Sequence, residues 1–490
     1  MTDMGHDVID VDTGANAHAA TAAGHAVPAR PRKLVNASLP RMAALASAEF
    51  VLLTLAFVMA ISVRFGADLA FDTRQMLLRA PIFPLVILAA MASMGLYTLR
   101  HRAQYAAVAA RVLVGVLLAV GGLGVATYLI PSMHMSPGVL GIATVLALPA
   151  LLVSRFAALR LMDDDSLKRR VLILGSGESA GVIAARLRRR SDQRSFRIVG
   201  YVPWSRDVTV VSPEQLVRTQ HDLANYVMRE RIDQVVVALD DRRGGMPQEV
   251  LRNLRLKGVT ISDPVTFLER EAGYISVDLA SPSWLIFSEG FPNDLLRAGT
   301  KRLFDIVVAS TLLVLATPIA LVTAILIKLE DGGPILYRQI RAGAGGRPFK
   351  MLKFRSMGVA AEKDGKAVWA QKNDPRVTRI GAFIRKTRID ELPQVVNVLL
   401  GHMSFVGPRP ERPEFVDQLS QTIPFYRERH FVKPGITGWA QVCYPYGSTE
   451  KDAREKLGFD LYYVKNHSLL MDLMILLVTA EIIVFRVGSR

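Results

Sequence analysis

Four apolar runs crowd the first third of this chain, at about residues 43–63, 81–99, 112–130 and 139–159. Each is close to the ~20 residues that a helix needs to cross the hydrocarbon layer of a bilayer. No water reaches backbone groups there, so helices that satisfy their own hydrogen bonds are the form open to such runs. The N-terminal third is therefore predicted to be a bundle of four transmembrane helices. A hydrophobic content of 50% over 490 residues fits a chain part of which lies in lipid, with several domains beyond it.

Loop charge orients the bundle. Arg30, Arg32, Lys33 and Arg41 precede the first run, Arg100, Arg102 and Arg111 separate the second from the third, and Lys168, Arg169 and Arg170 follow the fourth. Such basic segments stay on the cytoplasmic side, so four crossings place everything after Arg170 in the cytoplasm. The opposite loops are weaker: residues 64–80 carry three arginines against two aspartates, and residues 131–137 carry no formal charge. The net charge of +16 with this apolar content is read as that of a membrane protein rather than a soluble basic one, and a nucleic acid is not expected as a partner. Residues 1–40 are rich in Ala, Gly, Asp and His and lack an early apolar core, so they are predicted to be a disordered cytoplasmic tail rather than a signal peptide. Cys443 is the single cysteine, which excludes a disulfide framework and a cysteine-based zinc site.

Residues 166–285 alternate short β-rich runs with helical pattern, which predicts a small parallel α/β domain of Rossmann-like type. Its first turn, Gly175-Ser-Gly-Glu-Ser-Ala180, fits a dinucleotide fingerprint in which glycines let backbone amides approach a pyrophosphate. No acidic residue closes the second strand to hold a ribose hydroxyl; Asp207 comes six residues past it. A cofactor-free scaffold or a regulatory nucleotide site is preferred over an NAD enzyme.

In the last domain, residues 286–490, Asp390 and Glu391 stand side by side, with Arg385, Lys386 and Arg388 before them and Arg409 after. A carboxylate can attack phosphorus to give an acyl phosphate once the phosphate charge is neutralised by cations or a metal ion. The plainer alternative is a solvated, charged helix face. Adjacent residues of a helix point ~100° apart, which suits two tasks better than joint ligation of one atom. Gly407-Pro-Arg-Pro410 holds Arg409 between two ring-fixed residues, either to present its guanidinium or as an ordinary proline loop. Gly343, Gly345 and Gly346 lie beside Arg341 and Arg347, which suits a phosphate contact or a hairpin against anionic headgroups. The run at 303–327 is long enough to span, with Thr317-Pro318 at its centre, where a kinked transmembrane helix is one reading. The run at 469–485 contains Asp472 and Glu481 and is expected to pack or lie at the interface.

Six words in one order resemble the catalytic domain of the bacterial polyprenyl-phosphate sugar phosphotransferases, the large monotopic phosphoglycosyl transferases: Lys301-Arg-Leu-Phe-Asp305, Gly333-Pro-Ile-Leu-Tyr-Arg-Gln339, Lys353-Phe-Arg-Ser-Met357, Asp390-Glu-Leu-Pro-Gln394, Gly407-Pro-Arg-Pro410 and Lys433-Pro-Gly-Ile-Thr-Gly-Trp439. Two words of the tail, Tyr444-Pro-Tyr-Gly-Ser448 and Phe459-Asp-Leu-Tyr-Tyr-Val-Lys-Asn-His-Ser-Leu-Leu470, further resemble the exopolysaccharide branch that accompanies exosortase systems. The resemblance implies a re-entrant helix that returns at Thr317-Pro318, where a Ser-Pro pair is more usual. A full crossing there would strand Asp390 outside, away from nucleotide sugars. It implies that Asp390 attacks a UDP-sugar, expels UMP and passes the phosphosugar to undecaprenyl phosphate, with glucose the first candidate sugar and galactose the second. By the same resemblance Glu391, with Asp390, holds Mg²⁺ and assists proton transfer. Lys353, Arg355, Arg388 and Arg409 neutralise phosphate, and the protein is a homodimer. His402 stands where most relatives carry an aspartate, so whatever that aspartate orients must be held otherwise here.

Two other classes make distinct predictions. A membrane-anchored nucleotide-sugar oxidoreductase would need a Tyr-x-x-x-Lys pair in the middle domain, which has none. A scaffold or transporter would need ionisable residues inside the spans. The first run offers Glu49 near its start, and the other three are expected to offer essentially none.

Overall fold

The computed structural model describes residues 38–66, 79–94, 96–97, 105–130, 135–162, 168–188, 193, 195–204, 208–219, 222–241, 245–288, 290–291, 294–358, 376–445, 447 and 449–485. Nearly all of the predicted tail, Arg100, Arg102 and Asp207 lie outside them.

Helices α1 (Ser38–Phe65), α2 (Ile82–Ser93), α3 (Tyr105–Leu129) and α4 (Pro137–Met162) form the N-terminal bundle. Phe57, Phe83, Ile87, Met91, Val112, Val139 and Leu151 fill its centre, while Val51, Leu55, Leu117, Val145 and Val153 point outward. Apolar side chains on both faces are what a helix bundle in lipid requires. Stretches of α1, α3 and α4, namely Met42–Phe65, Val108–Leu129 and Pro137–Ala158, are long and apolar enough to cross a membrane. The second predicted run is not. Helix α2 has 12 residues, which reach ~18 Å at 1.5 Å per residue, short of the ~30 Å hydrocarbon layer.

The reason lies at its C-terminal end. The Leu96 carbonyl accepts a 2.6 Å hydrogen bond from Arg155 Nη1, and the Tyr97 hydroxyl donates to Glu49, so the chain is drawn inward instead of extending the helix. Arg155 Nη2 also pairs with Glu49 Oε2 at 2.6 Å, and the Ser154 hydroxyl donates to Glu49 Oε1 at 2.9 Å. The fourth run therefore does contain an ionisable group, against the sequence expectation. Arg155 is tolerated because its charge is matched inside the bundle.

The middle domain is a three-layer α/β unit. Its elements are β1 (Arg169–Leu174), α5 (Glu178–Arg186), β2 (Phe196–Val202), α6 (Leu223–Arg229), β3 (Gln234–Val237), α7 (Gln248–Leu256), β4 (Thr260–Ser262) and α8 (Pro264–Ala272). The strands are all parallel in the order β2-β1-β3-β4. Successive strand side chains point to opposite faces. Val171 and Ile173 accordingly meet Ile183, Phe267 and Leu268 from α5 and α8, while Leu172 and Leu174 meet Val227, Leu251 and Leu254 from α6 and α7.

After α9 (Pro282–Phe287), helix α10 (Leu295–Asp331) runs for 37 residues without interruption. The pair Thr317-Pro318 lies within these helical residues. Pro318 has no N–H to give the helix ladder, and the Thr317 hydroxyl donates to the Leu313 carbonyl at 2.6 Å. Val314, Leu315, Ile319, Leu321, Val322 and Ile325 form an exposed apolar band along it.

Both ends of α10 engage the same folded unit. That unit comprises the antiparallel hairpin β5 (Leu336–Ala342) and β6 (Pro348–Phe354), then α11 (Arg379–Lys386), α12 (Gln394–Leu399), β7 (Ser404–Val406), α13 (Pro413–Thr422), β8 (Gly435–Thr437), α14 (Trp439–Cys443), α15 (Glu450–Asn466) and α16 (Leu469–Phe485). At the N-terminal end, Arg302 donates to the Val398 and Leu399 carbonyls at the end of α12, and buried Asp305 accepts from the Ser404 hydroxyl and the Phe405 amide. Lys301 pairs with buried Asp472 at 2.5 Å, and so fixes α16 to the unit. At the C-terminal end, Ile327 packs with Phe354 and Ile384, and Asp331 pairs with Arg355. Trp439 donates to the Gly273 carbonyl at 2.8 Å, joining the unit to the sheet domain.

Candidate active site

Helix α11 opens with the Thr378 side chain accepting from the Gly381 amide and closes at Lys386. Arg388 then takes φ +61°, a left-handed conformation that costs a non-glycine residue ~1–2 kcal/mol. The turn it makes starts a single helical turn, Ile389–Glu391, which Pro393 separates from α12. Asp390 is thereby carried inward. It is 8% exposed, and its Oδ1 is buried without a hydrogen-bond partner. Burial, and after it the charge of Glu391, push its carboxyl above the ordinary range, against the pull of Lys353, Arg388 and Arg385.

Glu391 is held the opposite way. Its Oε1 receives Lys353 Nζ at 3.2 Å and Arg409 Nη2 at 3.2 Å, with Arg388 Nη1 at 3.7 Å. Burial opposes its charge, but Arg409, Lys353 and Arg388 outweigh burial and bring its pKa down to about 2. Burial in turn lowers the Lys353 ammonium, which Glu391 partly restores. The two adjacent carboxylates are thus driven apart, one made reluctant to ionise and the other fixed as an anion. Neither lies on a solvated helix face.

The structure gathers Asp390, Glu391, Lys353, Arg388 and Arg409 into one cluster. Arg355 goes elsewhere: β6 ends at Phe354, and the Arg355 guanidinium turns to Asp331 at the end of α10. There it fastens the long helix beside the site. Arg341, Lys353, Arg409 and Gln394 line a shallow concavity with Met351, Pro410 and Gly435. Gln394, to which the sequence alone assigns no role within the Asp390–Gln394 word, is almost fully buried there. Arg341 sits between strand and proline loop, with Gln339 Oε1 at 2.6 Å and Glu411 at 3.5 Å. His402 is exposed, its ring beside Phe349 at 6.0 Å between centroids.

Two words interlock to present Arg409. Gly407 N bonds to Thr437 O and Gly435 N to Pro408 O, each at 2.9 Å. A Cβ at Gly435 would sit 2.1 Å from Gly407 N, so the two loops approach as closely as they do only because glycine stands there.

Among the described residues no group of three or more His, Cys, Asp or Glu is placed to hold a metal ion. Mg²⁺ asks for less from a protein, since it keeps waters and shares substrate phosphates with one or two carboxylates. The hard, partnerless Oδ1 of Asp390 beside Glu391 fits that demand.

Residues 296–486 match the family model described as bacterial sugar transferase. The exopolysaccharide production protein PSS of Rhizobium leguminosarum bv. phaseoli is 43% identical over 181 residues, which are 36% of this chain and 90% of that protein. The chain belongs to the bacterial sugar transferases. Within that family it is 43% identical over 261 residues to the UDP-N-acetylgalactosamine-undecaprenyl-phosphate N-acetylgalactosaminephosphotransferase of Aeromonas hydrophila, covering 53% of this chain and 61% of the relative. It is 46% identical over 181 residues to the UDP-glucose:undecaprenyl-phosphate glucose-1-phosphate transferase of Klebsiella pneumoniae, covering 36% of this chain and 39% of the relative. The match thus spans less than two thirds of the length of these two transferases.

A second family model, described as a CoA-binding domain, matches residues 92–262 of this sugar transferase. The turn after β1 does not fit a pyrophosphate. The amides of Glu178 and Ser179, at the start of α5 where an anion would bind, both donate to the Asp240 carboxylate at 2.8 Å. Gly175 is required for another reason: at φ +123° its Cβ would lie 2.2 Å from the Ala238 carbonyl of the neighbouring strand.

Proposed function

We propose that this protein transfers a sugar 1-phosphate from a UDP-sugar to undecaprenyl phosphate, with Asp390 as nucleophile. The observation that carries this reading is the buried Asp390 Oδ1, without a partner, next to a glutamate gripped by three cations. A raised, partnerless carboxylate makes a willing attacking group once a substrate's phosphate lies against Lys353, Arg388 and Arg409. In the first step an Asp390 oxygen forms a bond to the β-phosphorus, and the bond from that phosphorus to the bridging oxygen breaks, so that UMP leaves with the electron pair. In the second step an oxygen of the lipid phosphate attacks the same phosphorus, and the Asp390 carboxylate is released. Mg²⁺ held by Glu391 and Asp390 would neutralise diphosphate charge there.

The contacts at both ends of α10 support a re-entrant or membrane-embedded helix. Arg302 and Asp331 would lie ~44 Å apart along a straight helix, yet both bond to the unit that carries Asp390. A simple crossing would part those ends by the full bilayer. The exposed band from Leu313 to Ile325 then lies in lipid, with the site near the headgroups where a polyprenyl phosphate arrives. We place this unit on the cytoplasmic face of the inner membrane, where nucleotide sugars are found, and infer a homodimer from the family resemblance. Glucose is the first sugar to test and galactose the second; the name of the Aeromonas relative adds N-acetylgalactosamine. The product would begin an exported polysaccharide.

The test is UMP release from a panel of UDP-sugars by the purified full-length protein with undecaprenyl phosphate and Mg²⁺. Release by wild type and its loss in Asp390→Asn supports the reading and names the sugar. A folded wild-type protein that releases UMP from none of them overturns it.

A further inference from the structure

The loop that presents Arg409 has two prolines and can donate few backbone hydrogen bonds of its own. It is held instead by its carbonyls, four in succession. Pro408 O accepts from Gly435 N at 2.9 Å, Arg409 O from Arg429 Nη2 at 2.9 Å, Pro410 O from Arg341 Nη1 at 3.1 Å, and Glu411 O from Ala342 N at 2.9 Å. The bond to Arg409's own carbonyl comes from a side chain that is otherwise committed. Arg429 is 6% exposed, pairs with Asp460 Oδ2 at 2.8 Å, and donates through Nη1 to the Tyr426 hydroxyl at 2.9 Å.

Stability does not explain this pair. Taking two charges out of water costs about as much as their attraction returns, and Arg429 Nε is buried without a partner. The arrangement does fix a position. Asp460 is 2% exposed and sits on α15, whose neighbouring residues are anchored to the sheet domain: Gly458 O accepts from Ile275 N at 3.1 Å, and the Phe459 ring meets Tyr274 at 5.1 Å. The chain of contacts therefore runs from a rigid helix through Asp460 and Arg429 to the carbonyl of Arg409, whose guanidinium meets Glu391 at 3.2 Å.

We propose that Arg429 and Asp460 are positioning residues that set Arg409 for the substrate phosphate, acting through the Arg409 carbonyl and not by touching substrate. This rests on the reading of the site as a sugar-phosphate transferase. Arg429→Lys separates the two roles that the arginine plays. A lysine keeps the charge and one bond to Asp460, but its single ammonium lacks the planar fork that also reaches Tyr426 and Arg409 O. A displacement of about 1 Å at a charge-stabilising group costs up to ~100-fold in rate.

The experiment is a double-mutant cycle of Arg429→Lys with Arg409→Ala, read in kcat/KM for UMP release and in kcat and KM separately. The same cycle is read in the affinity for UDP by thermal shift, which needs no turnover. Arg429→Lys is expected to keep the wild-type Tm within a few degrees and to lower kcat/KM by about 10- to 100-fold. In the Arg409→Ala background the same change is expected to have less than a threefold further effect, because its target is gone. Equal losses in both backgrounds, or a kcat/KM for Arg429→Lys equal to wild type, overturn the proposal. Should Arg429→Lys fail to fold, Asp460→Asn takes its place in the cycle with the same expected coupling. A wild-type protein without UMP release would refute the transferase reading alone, and the UDP affinity cycle would still decide the positioning claim: coupling there supports it and additivity refutes it.

Discussion

Glu391→Gln keeps the shape of the side chain and removes one negative charge from among three cations. In the folded protein the Glu391 carboxyl titrates at about 2, against an ordinary 4.5, and that difference already includes the cost of its burial. At ~1.36 kcal/mol per pH unit the difference amounts to ~3 kcal/mol of net favourable interaction. Lys353 and Arg409, whose side chains are 18% and 36% exposed, account for most of it, whereas Arg388 at 61% is well screened by water. For a domain of this size ~1 kcal/mol moves Tm by about 2–4 °C, so Glu391→Gln should lower the melting transition of the catalytic unit by ~6–12 °C at pH 7. The sign with pH follows from a depressed carboxyl. The stabilisation is complete above the unfolded value near 4.5 and is lost as pH falls towards 2, so wild type and variant should converge as the medium is acidified. Thermal melts of the full-length protein in detergent at pH 7 and pH 3.5 measure both. A Tm difference below 1 °C at pH 7, or one that does not shrink on acidification, would refute the cation grip as described.

Asp390 moves in the other direction. Its raised carboxyl makes the ionised form a burden on the fold, so Asp390→Asn should abolish UMP release while leaving Tm at pH 7 unchanged or higher; a large Tm loss would count against an unpartnered, strained carboxylate. Because the attacking form is the anion, kcat/KM should fall as pH is lowered through a value above the usual ~3.9 for aspartate; a pH profile whose acid limb lies at or below that value would contradict the raised pKa. Asp240→Ala should destabilise the sheet domain by ~1 kcal/mol, the worth of a helix N-terminal cap, seen as a lower melting temperature, and equilibrium dialysis of wild type with CoA should show no binding while Asp240 occupies those amides. Glu49→Ala should cost the bundle ~3–5 kcal/mol by leaving Arg155 buried and unpaired, visible as faster proteolysis of the full-length protein in nanodiscs; proteolysis at the wild-type rate would refute it.

The apolar runs, the β/α alternation and the Asp390–Glu391 pair were all legible in the sequence, because each rests on local spacing. What was not legible depends on which distant residues meet. Glu49 and Arg155 lie 106 positions apart, and only their pairing explains both a charge inside the fourth run and the early end of α2. Arg341 was marked in the sequence by the glycines beside it, whereas the pairing of Arg429 with Asp460 joins distant elements and no short motif marks it. Lys353 and Arg355 share one short sequence word, and they part in the structure because the strand stops between them. The fingerprint turn looked like a phosphate cradle, and its amides are taken by Asp240 from the next strand's end.

The measurement that bears most directly on the central claim is a single turnover without lipid acceptor. Full-length protein is mixed with UDP-glucose, UDP-galactose or UDP-N-acetylgalactosamine and Mg²⁺, quenched, and digested for mass spectrometry. The account predicts up to one UMP per active site and a sugar-phosphate adduct on the peptide that contains Asp390, absent in Asp390→Asn and discharged by undecaprenyl phosphate. UMP release that requires the lipid acceptor and leaves no adduct on that peptide would contradict it, and would place the transfer directly between the two substrates.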